Sequence, residues 1–340
     1  MAMRVALAQT PLSADRPLGG LIDIASARPR GVLVTLDPPR GPGRPLPPPV
    51  EGPARVPLAD HLVLERLDRD LFRGQATAAM TQHAFGGEVA AQALVAAGNT
   101  VDRDRQVHSL HGYFLRPGAS RQPIVYAVDR IRDGGSFTTR RVVALQEGEA
   151  IFHLSASFTR VEDSRFRHQS AAPDLPLPDL AERMSHESPG TPAEAEWRRY
   201  LDLVVSTFPL DIRTASAPEW EADGRGRPLA PRQRIWVRSS EPLGDDPFVH
   251  VGAATFASDV MLLRTATWPH GIQIGQPGLQ FASLDHAVWF HEPLRFDDWV
   301  LIDMESTWAG HGRAMCRSAL FDRHGTLVAS VVQEGLVRQR

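Results

Sequence analysis

A chain of 340 residues with 42% hydrophobic content can build one large domain or two of ordinary size. Its formal charge of −3 excludes a dedicated nucleic-acid binder, which needs a basic excess. One cysteine, Cys316, excludes an intrachain disulfide and a cysteine-built metal cluster, and no apolar run reaches the length of a membrane span.

The chain contains no lysine, so every basic side chain besides histidine is arginine. Its first residues, Met-Ala-Met-Arg-Val-Ala-Leu-Ala-Gln, hold too short an apolar stretch for a secretory signal, and Val-Arg-Gln-Arg at the end is not a peroxisomal address. Cytoplasm is the expected location. Residues 1–55 read as a disordered, Pro/Arg-rich extension, because prolines from Pro38 to Pro53 crowd a segment that can neither continue a helix nor enter a sheet interior.

From Val56 the chain reads as globular. Residues 85–98 form an Ala-rich helical run, and Gly98 is expected to end it in a left-handed cap. Strand-like runs follow at 106–116, 124–132, 137–146 and 150–160, punctuated by Asp133-Gly134-Gly135 and Glu147-Gly148 as turns. A helix followed by about four strands makes residues 56–164 an antiparallel sheet wrapped on one helix. Residues 165–230, richer in Pro and polar side chains, read as a linker with one helix starting at a Thr191/Glu194 capping box and Pro192.

Residues 231–340 repeat the first plan. A strand at 233–239 precedes Asp246-Pro247, an N-cap followed by proline at the first helical position. An apolar helix at 248–264 and strands at 279–291, 299–307, 313–321 and 326–337 complete the unit. Local strings echo between the halves. His111-Gly-Tyr-Phe-Leu-Arg-Pro117 matches His286-Ala-Val-Trp-Phe-His-Glu-Pro293, and Gln92 within Ala-Ala-Gln-Ala-Leu matches Asp259 within Ala-Ser-Asp-Val-Met. Two degenerate copies of one unit indicate a duplicated domain.

Three polar residues interrupt apolar runs of the second copy: Asp259 in the helix, Ser283 in Phe-Ala-Ser-Leu-Asp-His, and Gln333 in Ser-Val-Val-Gln-Glu-Gly. Burying a carboxylate without partners is expensive, so the side chain calls for a use. An acid, a hydroxyl and an amide can together hold and activate one water. His108, His111 and His286 fall in strands, and Asp285 precedes His286, but no Gly-x-Ser-x-Gly elbow offers a nucleophile. His111 and His286 read as structural, and His108 as a candidate supporting residue. His108-x-x-His111 lacks a third ligand at metal spacing, so no metal site is expected. Arg132, Arg140 and Arg141 are candidates to meet phosphates, with a solvated strand face as the alternative.

A long apolar helix enclosed by a curved antiparallel sheet, duplicated in tandem, resembles the double hotdog, an α+β fold whose two units form one continuous sheet. Leu71-Phe-Arg-Gly-Gln75, Phe85-Gly-Gly-Glu-Val89, Val107 to Gly118, Arg132-Asp-Gly-Gly-Ser-Phe137 and Ser330 to Gly335 resemble the acyl-CoA thioesterase II family, over about residues 56–338. The resemblance implies hydrolysis of fatty acyl-CoA to free fatty acid and CoA. It places the family's catalytic Asp, Thr and Gln on Asp259, Ser283 and Gln333, with Ser in place of Thr as the one departure. It implies acyl-CoA as the bound partner and no cofactor, CoA being part of the substrate, and leaves homo-oligomerisation open. A noncatalytic acyl-CoA-binding hotdog protein is the alternative. A hotdog enoyl-CoA hydratase fits less well, because the residue five beyond Asp259 is Arg264 rather than the histidine base.

Overall fold

The computed structural model describes residues 56–76, 83–178, 192–215, 230–272, 274 and 276–340, with side chains of 192–198 excepted. The expected extension at 1–55 and the Thr191 capping box lie outside the described residues.

The first unit runs α1 (Leu58–His61), β1 (Glu65–Asp68), β2 (Leu71–Gln75), α2 (Gly86–Gly98), β3 (Gln106–Phe114), β4 (Pro123–Asp133), β5 (Phe137–Gln146) and β6 (Glu149–Thr159). Between the units come α3 (Pro192–Thr207) and β7 (Leu210–Thr214). The second unit runs β8 (Arg232–Ser239), α4 (Pro247–Ser258), a 3-10 helix (Leu263–His270), β9 (Leu279–Ser283), β10 (Asp285–Phe290), β11 (Val300–Gly310), β12 (Arg313–Asp322) and β13 (Leu327–Gln339). Among the described residues the thirteen strands join one sheet in the order β1-β2-β4-β5-β6-β3-β10-β13-β12-β11-β8-β7, with β9 added beside β13.

That order contains the duplication. Outward from the central antiparallel pair β3·β10, one side reads β6, β5, β4, β2 and the other β13, β12, β11, β8. The strands alternate buried and exposed positions, as in β5, so that one face of the sheet closes on the helices. Helices α2 and α4 lie antiparallel inside that face: the end of α2 meets the start of α4 at Gly98 and Phe248, and the start of α2 meets the end of α4 at Gly87 and Phe256. α2 is almost wholly buried and α4 is buried from Gly252 to its end, and their Ala and Gly residues allow this close approach.

Several local expectations are corrected. Gly98 does end α2, but without a left-handed cap: the C-cap Asn99 is right-handed, at φ −64°. The glycine is required by space instead, since a Cβ there would stand 2.6 Å from the Phe248 ring. The second helix stops at Ser258, with Asp259 as its C-cap, and the chain continues into the 3-10 helix that contains Pro269. Gln92 therefore does not share the position of Asp259. It sits mid-helix, where its amide donates to the His61 and Gln75 carbonyls and accepts from the Tyr126 hydroxyl.

The run 279–291 is broken at Leu284 because the Asp285 carboxylate takes the Glu334 backbone N–H (2.7 Å), a donor otherwise available to the ladder. The segment after β6 is also more than a connection. Ala172 and Leu175 pack on Trp236, Trp299, Leu301 and Phe321, and Trp236 Nε1 donates to the Pro176 carbonyl.

Candidate active site

Three elements carry the three polar residues to one place. Asp259 is delivered by the end of α4, Ser283 by the last position of β9, and Gln333 by β13, opposite Cys316 of β12. Ser283 pairs with Gly335 across β9 and β13, so the broken strand keeps Ser283 beside Gln333. The Ser283 hydroxyl donates to Asp259 Oδ1 at 3.0 Å, and Gln333 Nε2 donates to the same oxygen at 2.8 Å. Gln333 Nε2 also reaches Ser283 Oγ at 2.5 Å. The Gln333 side of the cluster is sealed, with 0% exposure, whereas Asp259 and Ser283 stay partly exposed. Asp259 and Ser283 are thus the members of the set that a ligand could touch.

The start of α2 closes the cluster from the first unit. Its N-cap, Phe85, supplies no capping side chain, and the Asp259 carboxylate stands beside this helix start, where the Gly87 backbone N–H favours its charged form. The paired glycines are a spatial requirement. A Cβ on Gly86 would lie 2.7 Å from Asp259 Oδ2, and one on Gly87 would lie 2.4 Å from the Phe256 carbonyl oxygen. Burial raises the Asp259 carboxyl above the usual carboxylate range, while His286, the hydrogen bonds from Gln333 and Ser283, and the Gly87 backbone N–H pull it back. The partial positive charge at the α2 N-terminus acts in the same direction as those bonds.

Sequence reasoning missed two members of this neighbourhood. His286, read as a structural histidine, is 1% exposed and bonded through Nδ1 to Gln333 Oε1 (3.1 Å) and through Nε2 to Ser258 Oγ (2.8 Å). Its position three residues after Ser283 was the available signal. Burial lowers its ring, and the Asp259 carboxylate raises it. Tyr200 of α3, from the segment read as linker, donates to the Val260 carbonyl at 3.3 Å and lies under the Arg264 guanidinium at 4.0 Å. Arg264, where a hydratase would need its histidine, is thus engaged with an aromatic ring.

His108 is not brought to this cluster. It bonds Ser157 Oγ at 2.8 Å and meets the Phe137 ring edge-on. The Phe114 ring would touch a Cβ on Gly86, so that end of β3 adjoins the cluster, and His108 lies six residues back along the strand, roughly 20 Å. Arg140 cannot serve an incoming phosphate either: it is 1% exposed, and its guanidinium donates to Thr100, Arg132, Thr139 and Asp133. Arg141 pairs with Asp129. Among the described residues, no group of three or more His, Cys, Asp or Glu could hold a metal ion, and no helix is long and apolar enough to cross a membrane.

The duplication also shows why the cluster belongs to the second unit. Bulges at Arg130/Arg132 in β4 and Ser306/Trp308 in β11 mark equivalent places. Beside them the first unit has the rung Arg130–Arg140–Ala156 and the second Ser306–Cys316–Gln333. Ala156 thus stands where the second unit carries its amide. One residue further, His111 opposes Ser155 and Ala287 opposes Val332, so His111 corresponds to Ala287 and not, as the strings suggested, to His286. The period of two separates them: His111 faces outward against Trp289, and His286 faces the core.

Comparison with known proteins gives the same division. The family model described as acyl-CoA thioesterase matches residues 204–336, and the one described as acyl-CoA thioesterase N-terminal domain matches 75–159. The chain is 38% identical over 286 residues to acyl-coenzyme A thioesterase 8 of Mus musculus, covering 82% of this chain and 87% of the relative. It is 33% identical to acyl-CoA thioesterase 2 of Haemophilus influenzae, covering 82% and 95%. An acyl-CoA thioesterase II, TesB2, from Mycobacterium marinum superposes with a TM-score of 0.67 at 41% identity, covering 83% of this chain and 98% of that one. The chain belongs to the acyl-CoA thioesterase family and has the double hotdog fold.

Proposed function

We propose that this protein hydrolyses fatty acyl-CoA to free fatty acid and CoA, using a water activated by Asp259 and positioned with the help of Ser283 and Gln333. The observation that carries the reading is the convergence of both neutral side chains on one oxygen of the carboxylate. With Oδ1 held by two donors, the orientation of Oδ2 is fixed, and a fixed base lowers the entropic cost of attack. Side chains bonded at 2.5–3.0 Å leave no room for water between them, so the reacting water stands over the group on its accessible side.

In the forward step the water oxygen attacks the thioester carbonyl carbon while its proton passes to Asp259. The carbonyl pair moves onto oxygen, giving a tetrahedral oxyanion. The N-terminal end of α2, which already favours the Asp259 carboxylate, also favours that negative charge. Collapse re-forms the carbonyl, breaks the C–S bond, and returns the proton from Asp259 to the departing sulfur. The products are the carboxylic acid and the CoA thiol. A base raised above the ordinary carboxylate range is better matched to proton transfer near neutral pH. Thiol release from a series of acyl-CoAs, measured for the parent and for Asp259→Asn, tests this reading. Binding without thiol release would instead favour the noncatalytic alternative.

A further inference from the structure

Gln333 must present one end of its amide to Asp259, and the fold specifies both ends. Nε2 faces Asp259 Oδ1 and Ser283 Oγ, while Oε1 faces His286 Nδ1 at 3.1 Å. An amide oxygen can only accept, so Nδ1 carries a proton. On the far side of the ring, Nε2 is 2.8 Å from Ser258 Oγ, on the last turn of the helix that Asp259 caps, a hydroxyl that also lies 2.9 Å from the Thr255 carbonyl oxygen. The imidazole is 1% exposed and clamped between α4 and β13.

We propose that His286 is a positioning residue of the reaction, holding Gln333 in its productive orientation through the Nδ1–H donor. This role rests on the reading of Asp259 as the base. While Asp259 is ionised, its charge alone would keep the amide oxygen away. Once it has taken the proton from water, the neutral carboxylic acid can bond either end of an amide, and that discrimination disappears. His286 then maintains it, so that Asp259 stays aligned to return the proton to sulfur. A flipped amide would set Oε1 against Ser283 and Asp259 and leave the buried Nε2 facing the ring N–H.

The test compares His286→Asn, His286→Gln and His286→Leu with the parent full-length chain, measuring kcat and KM by thiol release, with melting temperature in parallel. An Asn amide nitrogen takes the place of Nδ1 and keeps the donor to Gln333. A Gln nitrogen takes the place of Nε2 and does not, and Leu offers no donor. Misplacing a catalytic group by about 1 Å costs on the order of 10²-fold in rate. The expected result is a kcat loss of that size for Gln and Leu with KM little changed, and rescue of most of it by Asn. Equal kcat losses in Asn and Gln, or parent kcat in all three, would overturn the proposal. Should Leu fail to fold, the Asn–Gln comparison decides. Histidine 15N spectra, with the signal assigned by its loss in His286→Asn, supply a readout independent of turnover: an unprotonated Nδ1 in the parent refutes the donor. Asp259→Asn is run beside them. If it keeps the parent rate, the reading of the base falls and this role with it; if it is inactive while His286→Gln and His286→Leu are unimpaired, only the positioning role falls.

Discussion

Asp259, which ends the helix of the second unit, stands against the start of the helix of the first: a Cβ on Gly86 would lie 2.7 Å from Asp259 Oδ2. The candidate site is therefore built across the duplication. The second unit supplies the side chains, and the first supplies a helix N-terminus that favours negative charge beside them.

Replacing Asp259 by Asn preserves volume and an oxygen that Ser283 and Gln333 can still address, but removes the proton acceptor. We expect kcat to fall by roughly 10²–10⁴-fold, the usual contribution of a general base. The melting curve should remain cooperative and close to the parent's. Thiol release at saturating acyl-CoA, with circular dichroism in parallel, checks both halves of this expectation.

The two glycines before that carboxylate should separate stability from activity. In Gly87→Ala the new methyl meets the Phe256 backbone carbonyl at 2.4 Å, and backbone cannot easily give way. We expect about 1–3 kcal/mol of destabilisation, as for other overpacked sites. In Gly86→Ala the methyl meets the movable end of Asp259, 2.7 Å from Oδ2. That variant should fold nearly normally and lose kcat. Denaturant midpoints and kcat for the pair test this; the opposite pattern would contradict the close approach described above.

The pH dependence follows from Asp259. It must be ionised to accept a proton, so kcat/KM falls as pH drops through its folded pKa. Burial raises that pKa, placing the acid limb above the ordinary 3.8. The linked effect on stability has the opposite sense. A carboxyl that binds its proton more tightly when folded contributes stability fully below 3.8, and loses it as pH rises through the raised value. The active, ionised form is thus the less stable one. An acid limb centred at or below 3.8, measured with parent enzyme and a short acyl-CoA, would count against the assigned base.

The duplication was legible in the sequence because helix and strand periodicities recur in the same order, and Asp259, Ser283 and Gln333 were legible because each breaks an apolar run. The partners of those residues were not. His286 lies in a strand whose alternation shows only that it faces inward, and nothing local reveals that β13 presents Gln333 to it. The matching of His111 with His286 followed side-chain identity and slipped by one position; in a strand that exchanges the two faces. The bulges in β4 and β11, and the matching irregularities at Ala144/Leu145 in β5 and Leu320/Phe321 in β12, fix the count. Tyr200 was hidden for another reason: α3 reaches Val260 and Arg264 by a tertiary contact that a segment read as linker gives no cause to expect.

Ser283 tests how the hydroxyl acts. It donates to Asp259 Oδ1 and accepts from Gln333 Nε2, so it ties base and amide together. Ser283→Ala removes a hydrogen bond to a charged group, typically about 1.5–3 kcal/mol, or roughly 10- to 100-fold in rate if the bond persists in the transition state. Ser283→Thr keeps both bonds and adds a methyl that narrows the side chain to fewer rotamers. Serine must hold its productive rotamer by hydrogen bonds alone, whereas threonine is restrained by its branched carbon. We therefore expect Ser283→Thr to retain the parent kcat or exceed it, and Ser283→Ala to fall well below both. If Ala and Thr were equally active, the hydroxyl would have no part in orienting Asp259, and the amide of Gln333 would be left as the side chain that fixes the base.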